Sequence, residues 1–594
     1  MKNLKKSFLK NITNIPLWLS FIAGLLLVFS YAPFSQWWLV FIVLPLWFKG
    51  LAIISSFHYL NVNNTNNGNN HQAHSSPKLS SKLTKTSEYS RHKLISKHCF
   101  VFALGWFSAG ISWVHVSIER FGGMPLVVSL FLMLLLCAYL ALYPTLAGYI
   151  TSRISKTSQL NLWFFPSAFM LCEYLRGTVL TGFPWLSLGY SQIDGPLKSL
   201  APIIGETGIT LTLLLFTVSL SKILPTRFFI KLLVQTKFSE KYASLTTAQL
   251  SQTRQPKLIS LLVLVALSTA VIISHYSNWL TDSGKTFNAA LIQGNIEQEI
   301  KWQPDQQWPT MMKYLDLSRI NYEADVIVWP ESAIPAFESL HSSQEFLDIA
   351  NGSAALNHSA IITGILNYNF DTKEYFNRLV VLGRKNKNDE QGSYAYFSSN
   401  KYDKYHLLPI GEFVPFGDIL RPLAPLFNLP MSSFSRGSYV QDNLIANDIV
   451  ILPLICFEIA FADQLAANFT NQTQVLLTVS NDAWFGNSHG PHQHMEMARM
   501  RALEFGRPLL RATNNGVTAI TDHLGNINKQ APQFEQAVVK AKVTLVTGTT
   551  PYSIYGAIST WLLPLLTFML VLLCSLLAAY PNTQQKTAST NNIS

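Results

Sequence analysis

Eight long apolar runs constrain the fold of this chain more than any other feature. A helix of about 20 predominantly apolar residues spans the hydrocarbon core of a bilayer. Charged residues make up only 13% of the chain, where about 25% is usual for a soluble protein. The runs lie near residues 17–32, 37–55, 99–116, 125–150, 162–179, 200–220, 258–273 and 557–579. The sequence therefore predicts a polytopic α-helical membrane domain with eight transmembrane helices.

The first run has a competing interpretation as a secretory signal peptide, because several lysines precede it. We favour a retained membrane span, since no clear small-residue cleavage site follows and a second apolar run begins almost at once.

Basic residues predict the orientation of the spans, because Lys and Arg concentrate in cytoplasmic loops. They cluster in the second, fourth and sixth connections, at residues 56–98, 151–161 and 221–257. Both termini are then cytoplasmic, and the segment between spans seven and eight lies outside. The net charge of +11 is explained by cytoplasmic anchoring, so it does not indicate a nucleic-acid partner.

The chain divides into three parts. Residues 1–284 form a membrane domain with seven spans, and residues 547–594 supply the eighth span and a cytoplasmic tail. Within the first part, residues 56–98 are a low-complexity cytoplasmic insert, whose Asn/Ser-rich stretch 61–85 is too polar to fold alone and is predicted to be disordered. The two histidines of the 61–85 stretch indicate a metal site only weakly.

Residues 285–546 are long enough for one α/β domain with its own core. Helical patterns at residues 309–322 and 493–505 separate short β-branched runs, an alternation typical of packed sheets covered by helices. The predicted strands are FNAALIQ, DVIVW, SAIITGIL, RLVVLG, DIVILPLIC, QVLLTVS, GVTAIT and QAVVKAKVTL.

Cys456 is a candidate nucleophile, because the other four cysteines lie in or beside membrane spans and offer no evident disulfide partner. It follows a strand and precedes EIAFADQLAANF, which is interpreted as a helix whose positive end would depress the thiol pKa. The alternative is a buried cysteine that acts as a small hydrophobe.

Two further stretches supply a base and a cation. Glu331 follows the strand in DVIVWPESAIP, and KYDKYHLLPIGEFVPFG contains Lys404 and Glu412. Each has a plain structural alternative: Glu331 as a turn cap, Lys404 as a surface charge, and Glu412 as its ion-pair partner.

The motif HGPHQH does not predict a metal site, although it groups His489, His492 and His494. Pro491 is typical of a helix start, and residues 492 and 494 would diverge by about 200° on a helix. We interpret these histidines as capping and packing residues, and the chemistry proposed for Glu331, Lys404 and Cys456 requires neither a metal nor an organic cofactor.

Taken together, several motifs resemble the nitrilase (carbon-nitrogen hydrolase) superfamily and, more closely, the apolipoprotein N-acyltransferase family. They are LIQGNIEQEIKW, WPESAIP, YDKYHLLPIGEFVPFG, LPLICFE, VSNDAWFG and PHQHMEMARMRALEFGRPLLRATNNGVTAIT. The resemblance implies an αββα sandwich for residues 285–546, located in the periplasm of a bacterial inner-membrane protein.

The resemblance also implies a Glu331, Lys404 and Cys456 triad. An acyl chain would pass from a phospholipid, typically sn-1 of phosphatidylethanolamine, through a Cys456 thioester to the α-amine of a diacylglyceryl-modified apolipoprotein. We expect burial to raise the pKa of Glu331 for this role. The family's supporting positions correspond to Trp302, Glu412, Phe457, Glu458 and Trp484, and Phe457 stands where a tyrosine is also found.

Two apolar features have open interpretations. Residues 416–437 are either a lid resting on the bilayer or an ordinary buried loop. The aromatic residues of FGGMP and TGFPWLSLGY either serve the site or anchor the membrane interface, and Glu173 and Arg176 are expected to pair near a membrane helix.

Two other functions use the same features. A membrane-tethered carbon-nitrogen hydrolase would pass the acyl group to water, and a lipid-binding or transport protein would retain the fold without catalysis. The few charges in the spans disfavour transport, and the intact triad disfavours a fold that has lost catalysis.

Overall fold

The computed structural model describes residues 17–69, 77–155, 160–225, 254–409, 411–413 and 434–579. Each of the eight apolar runs contains a helix in this structure. The helices are α1 (Leu17–Leu27), α2 (Val40–Asn69), α3 (Pro77–Gly110), α4 (Leu126–Ile154), α5 (Phe164–Thr178), α6 (Ala201–Ile223), α7 (Arg254–His275) and α12 (Pro551–Ala579). This part of the chain is a helical membrane domain.

Eight spans are not confirmed by length and composition. Among the described residues, four helices are long and apolar enough to cross a bilayer, and a fifth span forms if α3 and the bent segment Val114–Phe121 count as one. Helix α5 has 15 residues, which at about 1.5 Å each reach roughly 22 Å of a 30 Å hydrocarbon core. The remaining spans stay predictions.

The prediction of a disordered insert is wrong for most of its Asn/Ser-rich stretch. Helix α2 continues to Asn69, and α3 begins at Pro77. Extending an existing helix adds one hydrogen bond per ordered residue, without the unfavourable nucleation step that a separate helix requires. The spans therefore propagate helix into sequence that would not form it alone, and residues 70–76 lie outside the described residues.

Two sheets form the α/β domain. The first sheet contains β1 (Leu280–Gln293), β2 (Val326–Val328), β3 (Ile334–Phe337), β4 (Ala360–Asn369), β5 (Glu374–Gly383), β6 (Lys401–Asp403) and β13 (Ala537–Gly548). The second contains β7 (Leu444–Ala446), β8 (Ile449–Ile455), β9 (Val475–Ser480), β10 (Leu509–Thr513), β11 (Ala519–Thr521) and β12 (Ile527–Gln530). The first sheet has the order β13-β1-β2-β4-β5-β6, with β3 paired to β4, and the second has the order β12-β11-β10-β9-β8-β7.

Alternation along the strands produces four layers, because successive side chains point to opposite faces of a sheet. In β1, Leu291 packs between the two sheets while Ile292 packs outward under helices. The first sheet is covered by α8 (Pro304–Arg319) and α9 (His341–Leu356), and the second by α10 (Ala462–Asn468) and α11 (Gly490–Phe505). The expected αββα sandwich is confirmed.

Five strands were not predicted from the sequence, namely β3, β6, β7, β10 and β12. Four of them have only three or four residues, too few to display a period. The fifth, β10, is fully buried, but Arg511 at its centre interrupts the apolar run by which a buried strand is recognised in a sequence.

Helix α11 joins the α/β domain to the membrane domain. The amide of Gln493 donates to the Gly110 carbonyl at 3.0 Å and accepts from the Trp185 indole at 2.7 Å. Helix α6 is broken at Gly205, where φ is 66°, and the Glu206 backbone N–H beyond the break donates to the Glu504 carboxylate on α11 at 2.6 Å. The two domains therefore share buried polar contacts.

Candidate active site

Three strand ends bring Glu331, Lys404 and Cys456 to one region of the sandwich. Glu331 lies just beyond β2, whereas Lys404 directly follows β6 and Cys456 directly follows β8. The Lys404 ammonium donates to the Glu331 carboxylate at 3.3 Å, and both charges act on the Cys456 thiol. Residues far apart in sequence thus form one electrostatically connected group.

The Glu331 carboxylate accepts three hydrogen bonds. They come from the Asn377 amide at 2.8 Å, the Lys404 ammonium at 3.3 Å and the Asn481 backbone N–H at 3.0 Å. Burial alone would raise the pKa of Glu331, but the charge of Lys404 and these donors outweigh it and lower the pKa below 4.5. The expectation of a raised pKa is wrong, because it omitted the donors. Glu331 is therefore a carboxylate at neutral pH.

Lys404 is buried between two carboxylates. Its ammonium donates to Glu412 at 2.8 Å as well as to Glu331 at 3.3 Å. Although burial opposes the charged form, the two carboxylates raise the pKa of Lys404 above 10.5. The Lys404 backbone N–H is held by the Asn377 carbonyl at 2.9 Å, which sets the position of the side chain.

Cys456 lies at a strained turn rather than at the start of an α-helix. Its φ is 54°, in the left-handed region that non-glycine residues rarely adopt, and a short 3₁₀ turn follows at Cys456–Ala460. Helix α10 begins only at Ala462. Burial and the Glu331 charge raise the pKa of the Cys456 thiol, so the prediction of a helix-depressed pKa is wrong. The resting Cys456 side chain is therefore a neutral thiol, in a residue that is partly exposed to solvent.

Residues 288–550 match the family model described as Carbon-nitrogen hydrolase, and residues 83–219 match that of the Apolipoprotein N-acyltransferase N-terminal domain. The apolipoprotein N-acyltransferase of Vibrio cholerae serotype O1 is 50% identical over 78% of this chain and 85% of its own. The chain belongs to the apolipoprotein N-acyltransferase family. The Shewanella oneidensis member is 48% identical over 77% of this chain and 83% of its own, and the Haemophilus influenzae member 37% over 93% of each.

Glu458 is a buried structural centre in this member of the N-acyltransferase family. Its carboxylate accepts five hydrogen bonds, which tie the Cys456 turn to the loop that follows Lys404. The donors are the backbone N–H groups of Ile455, Tyr405 and His406, the Tyr402 hydroxyl and the Gln464 amide, at 2.8 to 3.1 Å. Glu458 therefore aligns two segments of the candidate site.

Glu458→Gln is expected to lower the thermal midpoint of unfolding. The glutamine amide replaces one carboxylate oxygen by an NH2 group, which would face groups that also donate hydrogen bonds and would leave them without an acceptor. One unsatisfied buried group costs about 1–3 kcal/mol. The measurement is a thermal melt in detergent. Glu345→Gln on the exposed face of α9 is the matched control and should leave the midpoint unchanged. Equal midpoints for Glu458→Gln and the parent would contradict this role.

Two of the aromatic residues predicted to support the site, Phe457 and Trp484, face the membrane domain. The Phe457 ring is buried against Trp185, with centroids 6.5 Å apart, so its environment is aromatic packing. Trp484 is 42% exposed and packs its ring against Phe121 at 4.8 Å. Trp185, from TGFPWLSLGY, is buried at the domain interface, which excludes a role as an anchor at the membrane surface.

The third aromatic position, Trp302, lies beside Lys301, whose ammonium is 5.6 Å from the ring centroid. Lys301 was not predicted from the sequence as a site residue, although it stands next to Trp302 in the motif LIQGNIEQEIKW. The Lys301 ammonium donates to the Glu331 backbone carbonyl at 3.3 Å, and burial lowers its pKa to about 8. Its positive charge favours the carboxylate form of Glu331.

Asn377 and Asn481 were also missed. No local pattern marks Asn377, because the pairing of β5 with β6 places it beside Lys404. Asn481 did carry a signal, because this polar residue directly follows a buried strand, β9. Its backbone N–H donates to Glu331, which follows a strand of the other sheet.

The remaining expectations have mixed outcomes. Glu173 and Arg176 pair on α5, as expected. His489 and His494 hydrogen-bond through Nε2 to the backbone carbonyls of Gly110 and Cys456, at 3.1 and 3.0 Å respectively. No group of three potential metal ligands occurs within the described ranges. Most of the 416–437 segment lies outside the described residues, and its described end contacts the site through Gly437, whose N–H donates to the Lys404 carbonyl.

Proposed function

We propose that this chain transfers an acyl chain from a phospholipid to the N-terminal α-amine of a diacylglyceryl-modified apolipoprotein. Membership in the apolipoprotein N-acyltransferase family supports the acceptor. The observation that carries the mechanism is the hydrogen-bonded Glu331 carboxylate, paired with Lys404 and acting on a neutral Cys456 thiol. These are a base, a cation and a nucleophile in the states that acyl transfer requires.

In the first half-reaction, Cys456 attacks the ester carbonyl carbon of the phospholipid. Glu331 takes the thiol proton as the carbon–sulfur bond forms, so a free thiolate is never required. Lys404, with backbone N–H groups near Cys456, stabilises the negative tetrahedral oxygen. The ester carbon–oxygen bond then breaks, Glu331 returns the proton to the leaving oxygen, and a lysophospholipid departs from the thioester.

In the second half-reaction, the acceptor α-ammonium loses a proton to the Glu331 carboxylate and becomes nucleophilic. The amine attacks the thioester carbonyl, and Lys404 stabilises the second tetrahedral oxygen. The carbon–sulfur bond breaks to leave an amide, whose nitrogen gives its second proton to the departing Cys456 sulfur. Glu331 then releases to water the proton that it took from the ammonium. Glu412 holds Lys404 in place throughout, through its 2.8 Å contact with the ammonium.

Residues 285–546 would form a periplasmic catalytic domain, held by seven spans before it and one span after it, with both termini in the cytoplasm. The basic connections between the spans support this orientation.

Intact-mass measurement tests the function directly. Purified protein is mixed with phosphatidylethanolamine alone, and we expect a hydroxylamine-sensitive increase equal to one acyl chain. A diacylglyceryl peptide with a free α-amine should then remove the adduct and gain the same mass. Loss of the adduct to water, with no gain by the peptide, would identify a hydrolase. Absence of any adduct would favour a lipid-binding protein.

The rate of adduct formation should show no acid limb above pH 4.5. Glu331 acts as a base only when ionised, and Lys404 and the hydrogen-bond donors lower its pKa below that value. The base is therefore fully ionised across the neutral range and is lost only as pH falls through the lowered pKa. Single-turnover rates from pH 5 to 8 provide the measurement, with circular dichroism at each pH as a control for unfolding. An acid midpoint near 6 would contradict the assignment.

A further inference from the structure

A buried polar network lies behind Cys456, on the face of the second sheet that α11 covers. It contains Ser480, Asp482, His494 and Arg511, all nearly inaccessible to solvent. Ser480 ends β9, and its hydroxyl oxygen is 3.3 Å from the Cys456 sulfur. None of these residues belongs to the Glu331, Lys404 and Cys456 group, yet the network reaches the reacting atom.

The protonation of His494 follows from its partners. Its Nε2 lies 3.0 Å from the Cys456 carbonyl, which can only accept, so Nε2 carries the hydrogen. Its Nδ1 lies 3.0 Å from the Arg511 guanidinium, which can only donate, so Nδ1 is a lone pair. His494 is therefore neutral, and its Nδ1, although 3.3 Å from Asp482 Oδ1, has no hydrogen to donate to that oxygen.

Asp482 then has one donor on each carboxylate oxygen. Arg511 donates to Oδ2 at 2.9 Å, and Ser480 is 2.6 Å from Oδ1. A distance of 2.6 Å between a hydroxyl and a carboxylate is typical of a charge-assisted hydrogen bond. The single hydrogen of Ser480 is committed to Asp482, and its oxygen lone pairs face the Cys456 sulfur.

We propose that Asp482 orients Ser480 so that its oxygen accepts the S–H hydrogen of Cys456 in the resting protein, and that this hydrogen rotates toward Glu331 only when the acyl donor is bound. The inference rests on the proposed nucleophilic role of Cys456. Ser480 contacts the reacting sulfur, whereas Asp482, His494 and Arg511 act through it as positioning residues. The other ionisable groups that act on the thiol are Glu331, from the end of β2, and Lys404, from the end of β6.

The direction of this hydrogen bond sets the sign of a measurable effect. If Ser480 accepts from the thiol, it stabilises the neutral form, and Ser480→Ala lowers the pKa of Cys456. If Ser480 donated to the sulfur, it would stabilise the thiolate, and the same change would raise the pKa. Iodoacetamide alkylation of Cys456 against pH, followed by peptide mass, distinguishes the two cases without any lipid.

Ser480→Ala is expected to raise the alkylation rate at neutral pH about three- to tenfold, the range for one hydrogen bond. An unchanged or slower rate would overturn the proposal. Thr478→Val is the matched control: Thr478 lies two residues earlier on the same face of β9, and its hydroxyl has no hydrogen-bond partner among the described residues. This control should leave the profile unchanged.

Asp482→Asn supplies a second, independent test. Arg511 would face the new amide oxygen, so the amide N–H would point to Ser480 and turn the serine hydrogen toward sulfur. We expect faster alkylation, with a larger change in the parent than in the Ser480→Ala background. Equal changes in both backgrounds would reflect only the lost charge and would overturn the coupling. Because alkylation needs no acyl group, both results stand apart from the transfer assay.

Discussion

Replacing Cys456 by alanine is expected to abolish the acyl adduct and to reduce acyl transfer by at least about a thousandfold, since nucleophile deletions have effects of this size or larger. Alanine keeps the buried position but removes the sulfur that would carry the acyl chain. Intact mass after incubation with phosphatidylethanolamine measures the adduct, and peptide acylation measures transfer.

Cys172→Ala is the matched control, because Cys172 is a buried cysteine on α5, away from the site. It should form the adduct at the parental rate. Full transfer by Cys456→Ala would exclude a Cys456 thioester and would leave direct attack of the amine on the phospholipid ester as the better mechanism.

Lys404→Met should produce the second largest loss, because it removes the charge that faces both Glu331 and Glu412. Loss of one oxyanion donor lowers the rate by about a hundred- to a thousandfold. Breaking a buried ion pair also costs about 3–5 kcal/mol, so the thermal midpoint should fall on the order of 10 °C.

The stability of the Lys404→Met variant should depend on pH with the opposite sign from that of the parent. The Asn377 amide contacts Glu331 at 2.8 Å and Glu412 at 3.2 Å, so the two carboxylates approach one donor. Without Lys404, one of them should hold a proton, and the variant should become relatively more stable as pH falls toward 5. The parent loses stability on acidification, since its Glu331 is ionised in the folded state.

Lys301→Met is the control for Lys404→Met. It removes another buried lysine near Glu331, but this lysine donates to the backbone carbonyl and not to the carboxylate. We expect a smaller loss of activity. A Lys404→Met variant within about tenfold of the parent would contradict its assignment as the oxyanion donor.

Sequence patterns predicted the layered architecture of the α/β domain, but not its shortest strands or the full length of helices α2 and α3. Alternation in runs such as FNAALIQ is a local property, so β1 and its two faces could be inferred before pairing was known. Strands β6 and β7 form because they pair with the neighbouring strands β5 and β8. A stretch of three residues is too short for its sequence to predict this pairing. The insert was mispredicted for the same reason, since α2 and α3 extend from packed spans.

Sequence motifs were enough to locate the candidate residues, but they were not enough to predict whether Glu331 and Cys456 are ionised. Glu331 and Cys456 both follow strands, and this position is visible in the sequence. Their pKa shifts depend on donors brought in by other strands, including Asn377 and the Asn481 N–H. The burial of Glu331 could be predicted from the sequence. The direction of its pKa shift could not, because that direction depends on where all the hydrogen-bond donors and charges around the carboxylate lie.

The break in α6 at Gly205 has a consequence for assembly in the cell. A Cβ at this residue would lie 2.1 Å from the Tyr552 ring, so close packing as well as the backbone requires glycine. A backbone N–H freed in a membrane helix needs a partner, and the partner of Glu206 N–H is Glu504, some 300 residues later in the chain. The translocon can release α6 long before Glu504 has been synthesised and folded. Maturation of the membrane bundle therefore waits for α11, the last helix of the α/β domain, to supply the missing acceptor.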